Sequence, residues 1–346
     1  MHRLIYNVLL FTIIISTNSN AQSIKPSKDS IATFYNSLFS NLKSKYLYKD
    51  EIKWNEIELE IKDTLGKYKR FSASLEVIIP HLFSKIKAEH CSVYLGENAY
   101  SINKNFTAED FSEQWLTKYA SNPAFEAKVL DNKYGYILIP GMLYEDTSVE
   151  NVHNIAQPLY DKICTIKNNH NIKGWIIDLR FNTGGNVHPM LLALYDFLGD
   201  TSQVYGTLGI DKNKLISKAS LSNGKYYEND TLSSYIIPKG KELTKTPVAI
   251  ITGIVTASSG EIVALAFKGR NNTIYIGEKT IGKTTTNDKV DLPFGAYMAL
   301  TVGYDCDRNN IFYKNIIPDV MITKEDNFEN LLEDKNIIEA IKYINK

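Results

Sequence analysis

The sequence predicts an α/β protein whose mostly parallel, buried sheet is preceded by a small helical domain. Three observations carry that expectation. Short apolar runs of strand length alternate with helical periods between about residues 134 and 277. The region before them repeats a 3.6-residue apolar period three times. Two strand-to-helix junctions carry, respectively, a pair of glycines and a serine, where open α/β sheets gather their ligands.

Taken from the N-terminus, Met1-His-Arg-Leu-Ile-Tyr-Asn leads into the apolar run Val8–Ile15 and then the polar Ser16-Thr-Asn-Ser-Asn-Ala21-Gln22. A basic start, a short apolar core and a small residue before a polar stretch describe a signal peptide over residues 1–21. The run is far shorter than the ~20 residues of a membrane-spanning helix. An uncleaved anchor is the competing account. Cleavage after Ala21 would leave a mature chain, with no membrane span, in the periplasm or outside the cell.

Residues 22–130 are expected to be a helical region with an irregular linker. Ile31, Phe34, Leu38 and Leu42 share one helical face, and Trp54, Ile57, Ile61 and Leu65 another. Leu75, Ile78, Ile79, Leu82 and Ile86 make a third. The aromatic-rich segment from about 92 to 130 (Phe106, Phe111, Trp115, Tyr119) shows no period. Its rings suit packing better than a substrate groove.

Residues 131–346 read as the α/β core. Tyr134–Ile139, Gly174–Leu179 and Pro247–Thr252 are buried strands, and 148–168, 187–198 and 258–268 are helices. Residues of about 200–245 break the rhythm and suggest an insertion or β-ribbon.

Composition excludes several classes. Lys+Arg and Asp+Glu both number 39, so nothing suggests nucleic acid as a partner. Cys91, Cys164 and Cys306 are too few and too scattered for a disulfide framework or a zinc site. No cofactor is expected.

The chemistry lies at the junctions. Ser258, in Thr256-Ala-Ser-Ser-Gly-Glu261, follows a strand and starts a helix. Lys283 stands one short strand further on. A hydroxyl is a poor nucleophile without a neighbouring base, which a desolvated lysine can supply. Gly184 and Gly185 end another strand, and the N–H groups of Gly185 and Ser259 could face a developing oxyanion. Two plainer accounts compete: Ser258-x-x-Glu261 is a capping box, and Lys283 alone would be a solvated charge. Gly277-Glu-Lys-Thr-Ile-Gly-Lys-Thr284 also matches a phosphate-binding loop. That loop must open a helix, and the β-branched, turn-rich Thr284–Pro293 has no helical period, so no nucleotide is expected.

These motifs carry a resemblance. Gly135-Tyr-Ile-Leu-Ile, Ile176-Ile-Asp-Leu-Arg-Phe-Asn-Thr-Gly-Gly, Thr256-Ala-Ser-Ser-Gly-Glu-Ile, Gly277–Thr284 and Ile317-Pro-Asp-Val, in that order, resemble the tail-specific, or C-terminal processing, serine peptidases. The resemblance implies a crotonase- and Clp-protease-like core and a polypeptide substrate. It implies Ser258 as nucleophile, Lys283 as general base and Asn287 as the group orienting the lysine. Gly185 and Ser259 would form the oxyanion hole, with Asp178 and Arg180 supporting the strand end. The chain departs from the family in two respects. The stretch between Cys91 and Lys133 is too short for the family's PDZ domain, which points to a PDZ-less branch. A related branch takes its base from a motif resembling Lys87-Ala-Glu-His90-Cys-Ser-Val, so His90 is an alternative base. His188, after the glycine pair, is a weaker cleft candidate. The competing function is a silent protein of this fold that clamps an extended peptide by strand addition.

Overall fold

The computed structural model describes residues 28–102 and 106–346, and the expected signal segment lies outside them. The described chain divides into two compact units. One holds the residues up to 102 together with 287–301; the other holds 106–286 with 302–346.

In the first unit the three apolar periods become α1 (Lys28–Lys45), α2 (Trp54–Leu65) and α3 (Phe71–Lys85). Phe34, Leu38 and Leu42 of α1 and Leu75, Ile79 and Leu82 of α3 are fully buried. That stripe holds the helices together, since isolated helices of this length are marginal in water. Next comes a hairpin not foreseen from the sequence, β1 (Ser92–Leu95) and β2 (Asn98–Ser101), in which Leu95 pairs with Asn98 across a two-residue turn. Gly96, at φ 58°, supplies the left-handed turn conformation. β1 also pairs antiparallel with residues 296–299.

The second unit opens with α4 (Glu113–Ala120), whose Ser112 hydroxyl accepts the Trp115 N–H at 3.0 Å. Trp115 stacks between Phe111 and Tyr119 and against Phe181, so the aromatic segment is core packing. The chain then runs through β3 (Glu126–Leu130), β4 (Tyr134–Leu138), α5 (Val149–Asn169) and β5 (Gly174–Asp178). The single helix expected over 187–198 is broken at Leu194 into α6 (Val187–Ala193) and α7 (Tyr195–Leu198). Four antiparallel strands follow: β6 (Thr201–Leu208), β7 (Leu215–Ser222), β8 (Lys225–Glu228) and β9 (Thr231–Tyr235). The remaining elements are β10 (Val248–Thr252), α8 (Ser259–Ala266), β11 (Thr273–Gly277), β12 (Thr285–Asp291), β13 (Ala296–Cys306), β14 (Val320–Met321) and α9 (Lys335–Ile344).

The sheet that positions the site has six strands in the order β14-β11-β10-β5-β4-β3, all parallel except β3. β4, β5 and β10 are buried along their whole length, which is why each reads as a continuous apolar run rather than an alternation. Packing is close at Gly135, where a Cβ would come within 2.2 Å of the Trp175 ring. β5, β10 and β11 end side by side, and their carboxyl ends hold the candidate site.

Candidate active site

The end of β5 is fixed by charge. Arg180 donates from Nε to both Asp178 oxygens at 3.0 and 3.1 Å, and from Nη1 to Asp326 at 2.6 Å and Asp334 at 2.7 Å. Burial alone would pull the guanidinium pKa down. The surrounding carboxylates, Asp178 foremost, instead hold it well above its ordinary value, so Arg180 stays charged. Beyond it, Asn182 organises the turn. Its Oδ1 accepts the Gly184 N–H at 3.1 Å, and its main-chain carbonyl accepts the Ala257 N–H at 3.0 Å.

Both glycines of the turn are required. Gly184 and Gly185 have φ values of 114° and 108°, which L side chains rarely adopt. A Cβ on Gly184 would sit 2.9 Å from that of Ser258, and one on Gly185 would sit 1.9 Å from the Met142 carbonyl oxygen. The glycine turn therefore lies directly against the serine.

Ser258 stands at the junction of β10 and α8 with φ 51° and ψ −119°. Such a backbone costs on the order of 1–3 kcal/mol and persists only where its surroundings impose it. Here the Glu261 carboxylate imposes it, accepting the Ser258 N–H at 3.0 Å. The neighbouring Ser259 turns its hydroxyl to the Gly185 carbonyl at 2.5 Å, tying the glycine turn to the first residue of α8. Among the described residues, the N–H groups of Gly185 and Ser259 meet no acceptor. Unengaged main-chain donors beside a serine are of the kind that can stabilise a developing oxyanion.

In the sequence Glu261 reads only as a capping residue. It is fully buried, and it reaches further than a cap. Its Oε1 accepts from the Thr280 hydroxyl at 2.5 Å and from Gly282 N–H at 2.8 Å, and its Oε2 also accepts from Lys283 N–H at 2.7 Å. One carboxylate thus anchors the main chain at both Ser258 and Lys283. Burial pushes its pKa up against these donors, which favour the ionised form. Asp305 of β13 lies within electrostatic reach. Its Oδ1 accepts the Thr286 hydroxyl at 2.5 Å, while Oδ2 is buried and has no hydrogen-bond partner among the described residues. Burial, with the Glu261 charge adding to it, raises the Asp305 pKa to about 7.

The other candidates have hydrogen-bond partners of their own. Asn287 donates from Nδ2 to the main-chain carbonyl of His90 at 2.8 Å and accepts the Thr301 hydroxyl at Oδ1, also at 2.8 Å. All three belong to the first unit. His188 places Nε2 2.9 Å from Glu228, whose pKa that contact lowers. The segment Gly277–Thr284 leads into β12, a strand, and so lacks the helix N-terminus of a phosphate-binding loop.

Comparison with known proteins gives the family and the fold. The model of peptidase family S41 matches residues 133–322. The nisin-resistance protein of Lactococcus lactis subsp. lactis is 31% identical over 79% of this chain and 78% of its own. The carboxy-terminal processing protease CtpA of Bacillus subtilis is 29% identical over 56% of this chain, which covers 36% of that longer protein. A lipoprotein structure from Streptococcus agalactiae superposes with a TM-score of 0.63 at 23% identity, covering 93% of this chain and 97% of the other. A putative peptidase from Parabacteroides merdae gives 0.60 at 15% identity, over 91% and 96%. The resemblance read from the motifs and the α/β core with its mostly parallel sheet are both borne out. The chain belongs to peptidase family S41, serine peptidases that hydrolyse peptide bonds.

Proposed function

We propose that this chain is an exported endopeptidase that works through an acyl-enzyme on Ser258. The observation that carries the reading is the strained Ser258 backbone, pressed against Gly184 and flanked by the unengaged N–H groups of Gly185 and Ser259. In the reaction Ser258 Oγ gives its proton to a base and bonds to the scissile carbonyl carbon. The oxygen, now negative, accepts from the two N–H groups. The C–N bond then breaks as the base returns the proton to the leaving amine, and water repeats the cycle to release the acyl group.

Lys283 is the base of this proposal, because the carboxylate that sets the Ser258 backbone sets that of Lys283 too. A second reading takes His90 instead. It is favoured by Asn287, the residue expected to orient the lysine, which gives its amide to the His90 carbonyl. A fluorophosphonate probe tests the function itself. It should label Ser258 in the native protein and nothing in Ser258→Ala, and an unlabelled native protein would leave only the peptide-clamp alternative. Export is tested by N-terminal sequencing of the protein from the cell envelope or medium, which should begin at or near Gln22. Full-length protein confined to the cytoplasm would overturn it.

A further inference from the structure

The segment after β4 crosses in front of the glycine turn and is pinned there residue by residue. Gly141 donates to the Phe181 carbonyl at 3.2 Å. Met142 donates to the Gly184 carbonyl at 3.1 Å and accepts the Asn186 N–H, forming a parallel bridge centred on Gly185. The Tyr144 N–H is taken by the Asn186 side chain at 3.0 Å. In a strand, alternate residues turn their N–H and C=O to opposite edges. With both groups of Met142 committed to the glycine turn, those of Leu143 face the other way. Among the described residues they form no hydrogen bond. The Leu143 side chain is 62% exposed, an apolar group left in solvent beside the proposed oxyanion hole.

A single unpaired residue in a loop is commonly just solvated. This one differs because the residues on both sides of it are tied down, Met142 to the glycine turn and Tyr144 to Asn186, and because the bridge partner of Met142 is Gly185. We propose that Leu143 is a substrate-docking position, where one residue of an extended polypeptide exchanges both main-chain hydrogen bonds with Leu143 N–H and C=O. The occupant is fixed by what lies beside it: a family S41 core acts on peptide bonds, and a chain paired here runs past Gly185 and Ser258. Main-chain pairing reads extension rather than sequence. The exposed leucine adds a modest preference for an apolar neighbour on the substrate. The inference rests on the serine-peptidase reading of the site, and its test keeps the two apart.

The test uses the native protein and a cleavable peptide, each peptide nitrogen N-methylated in turn. Methylation at one position close to the scissile bond should cut kcat/KM by about tenfold, chiefly through KM, because a paired N–H is lost and a methyl group blocks the edge. Leu143→Pro, which removes the docking N–H, should lower kcat/KM for the parent peptide by a similar factor. Leu143→Ala keeps the main chain and loses only the apolar contact, so it should lower kcat/KM by about two- to threefold, well short of the loss in Leu143→Pro. Labelling by a fluorophosphonate that carries no peptide chain reports separately on Ser258 and on folding. If native protein is not labelled, the function reading fails first. If it is labelled, and every N-methylated peptide is cleaved like the parent or Leu143→Pro cleaves at the native rate, the docking position is overturned.

Discussion

At the scale of single residues, the site is a set of main-chain groups held by a few buried side chains. Ser258→Ala should abolish hydrolysis with the fold kept, since the loss of a capping side chain costs only ~1 kcal/mol. Ser259→Ala loses the hydrogen bond to Gly185 but keeps the N–H proposed as an oxyanion donor, so activity should fall partially. Assaying both variants on one peptide settles the order; an active Ser258→Ala would remove it as nucleophile. Glu261→Gln is expected to be worse than its size suggests. Glutamine offers one acceptor oxygen where four donors converge, and its own N–H groups would face main-chain N–H groups. A stability loss of about 2–4 kcal/mol is expected by urea titration, with a fall in kcat larger than any change in KM. The base is separable by pH. A lysine base must be neutral, far below its ordinary ~10.4, so the rate should rise with pH through that depressed value and Lys283→Arg should be dead. A rise near ~6.5, with His90→Ala dead and Lys283→Ala active, identifies the histidine.

At the scale of elements, the strongly periodic segments were legible and the short ones were not. The stripe of Phe34, Leu38 and Leu42 foretold α1, and the uninterrupted apolar runs foretold β4, β5 and β10, because burial on one or both faces writes itself into the order of residues. β1 and β2 are four residues each and bury one residue apiece, Val93 and Tyr100, and α4 buries only Trp115, so none of them leaves a period to read. The break at Leu194 also escaped, because apolar residues continue on both sides of it. β13 likewise went unmarked, and it carries a group that matters for stability. Asp305 has a folded pKa of about 7, raised from 3.8. The folded state therefore holds its proton more tightly than the unfolded one. The stabilisation is full below the unfolded value and is lost as pH rises through the folded one, between about 4 and 7. Asp305→Asn should remove that slope, gaining about 2–4 kcal/mol relative to the native chain at pH 8 and little at pH 4. Parallel denaturation curves at both pH values check it, and an unchanged slope would mean that Asp305 does not titrate there.

At the scale of the whole molecule, the order of motifs along the chain was legible because three of them follow the carboxyl ends of β5, β10 and β11, where the topology brings distant segments together. What linear order could not reveal was which side chains bind those segments to one another. Asp326 and Asp334 are scattered polar residues with no period or spacing to single them out, and the capping-box spacing of Glu261 does not reveal its bonds to Thr280, Gly282 and Lys283. Arg180 is the clearest case. It stands two residues past β5 and meets Asp326 and Asp334, close to the C-terminal end of the sequence, while Asp178 also accepts the Tyr136 hydroxyl of β4. Asp178 and Asp334 are fully buried, so a single cation compensates carboxylates gathered from two ends of the core. An ion cluster of this kind contributes little compared with an apolar replacement of the whole set, but removing one member strands the charges that remain. Arg180→Met should therefore cost about 3–5 kcal/mol. Against a total of about 5–15 kcal/mol for a folded domain, that is enough to lower the unfolding midpoint in urea markedly and to release the segment before α9. Asp178→Asn together with Arg180→Met should recover part of the loss, since one stranded charge is gone. Equilibrium urea curves on the single and double variants decide it: an Arg180→Met midpoint equal to the native one would show that the cluster does not hold the C-terminal segment to the core.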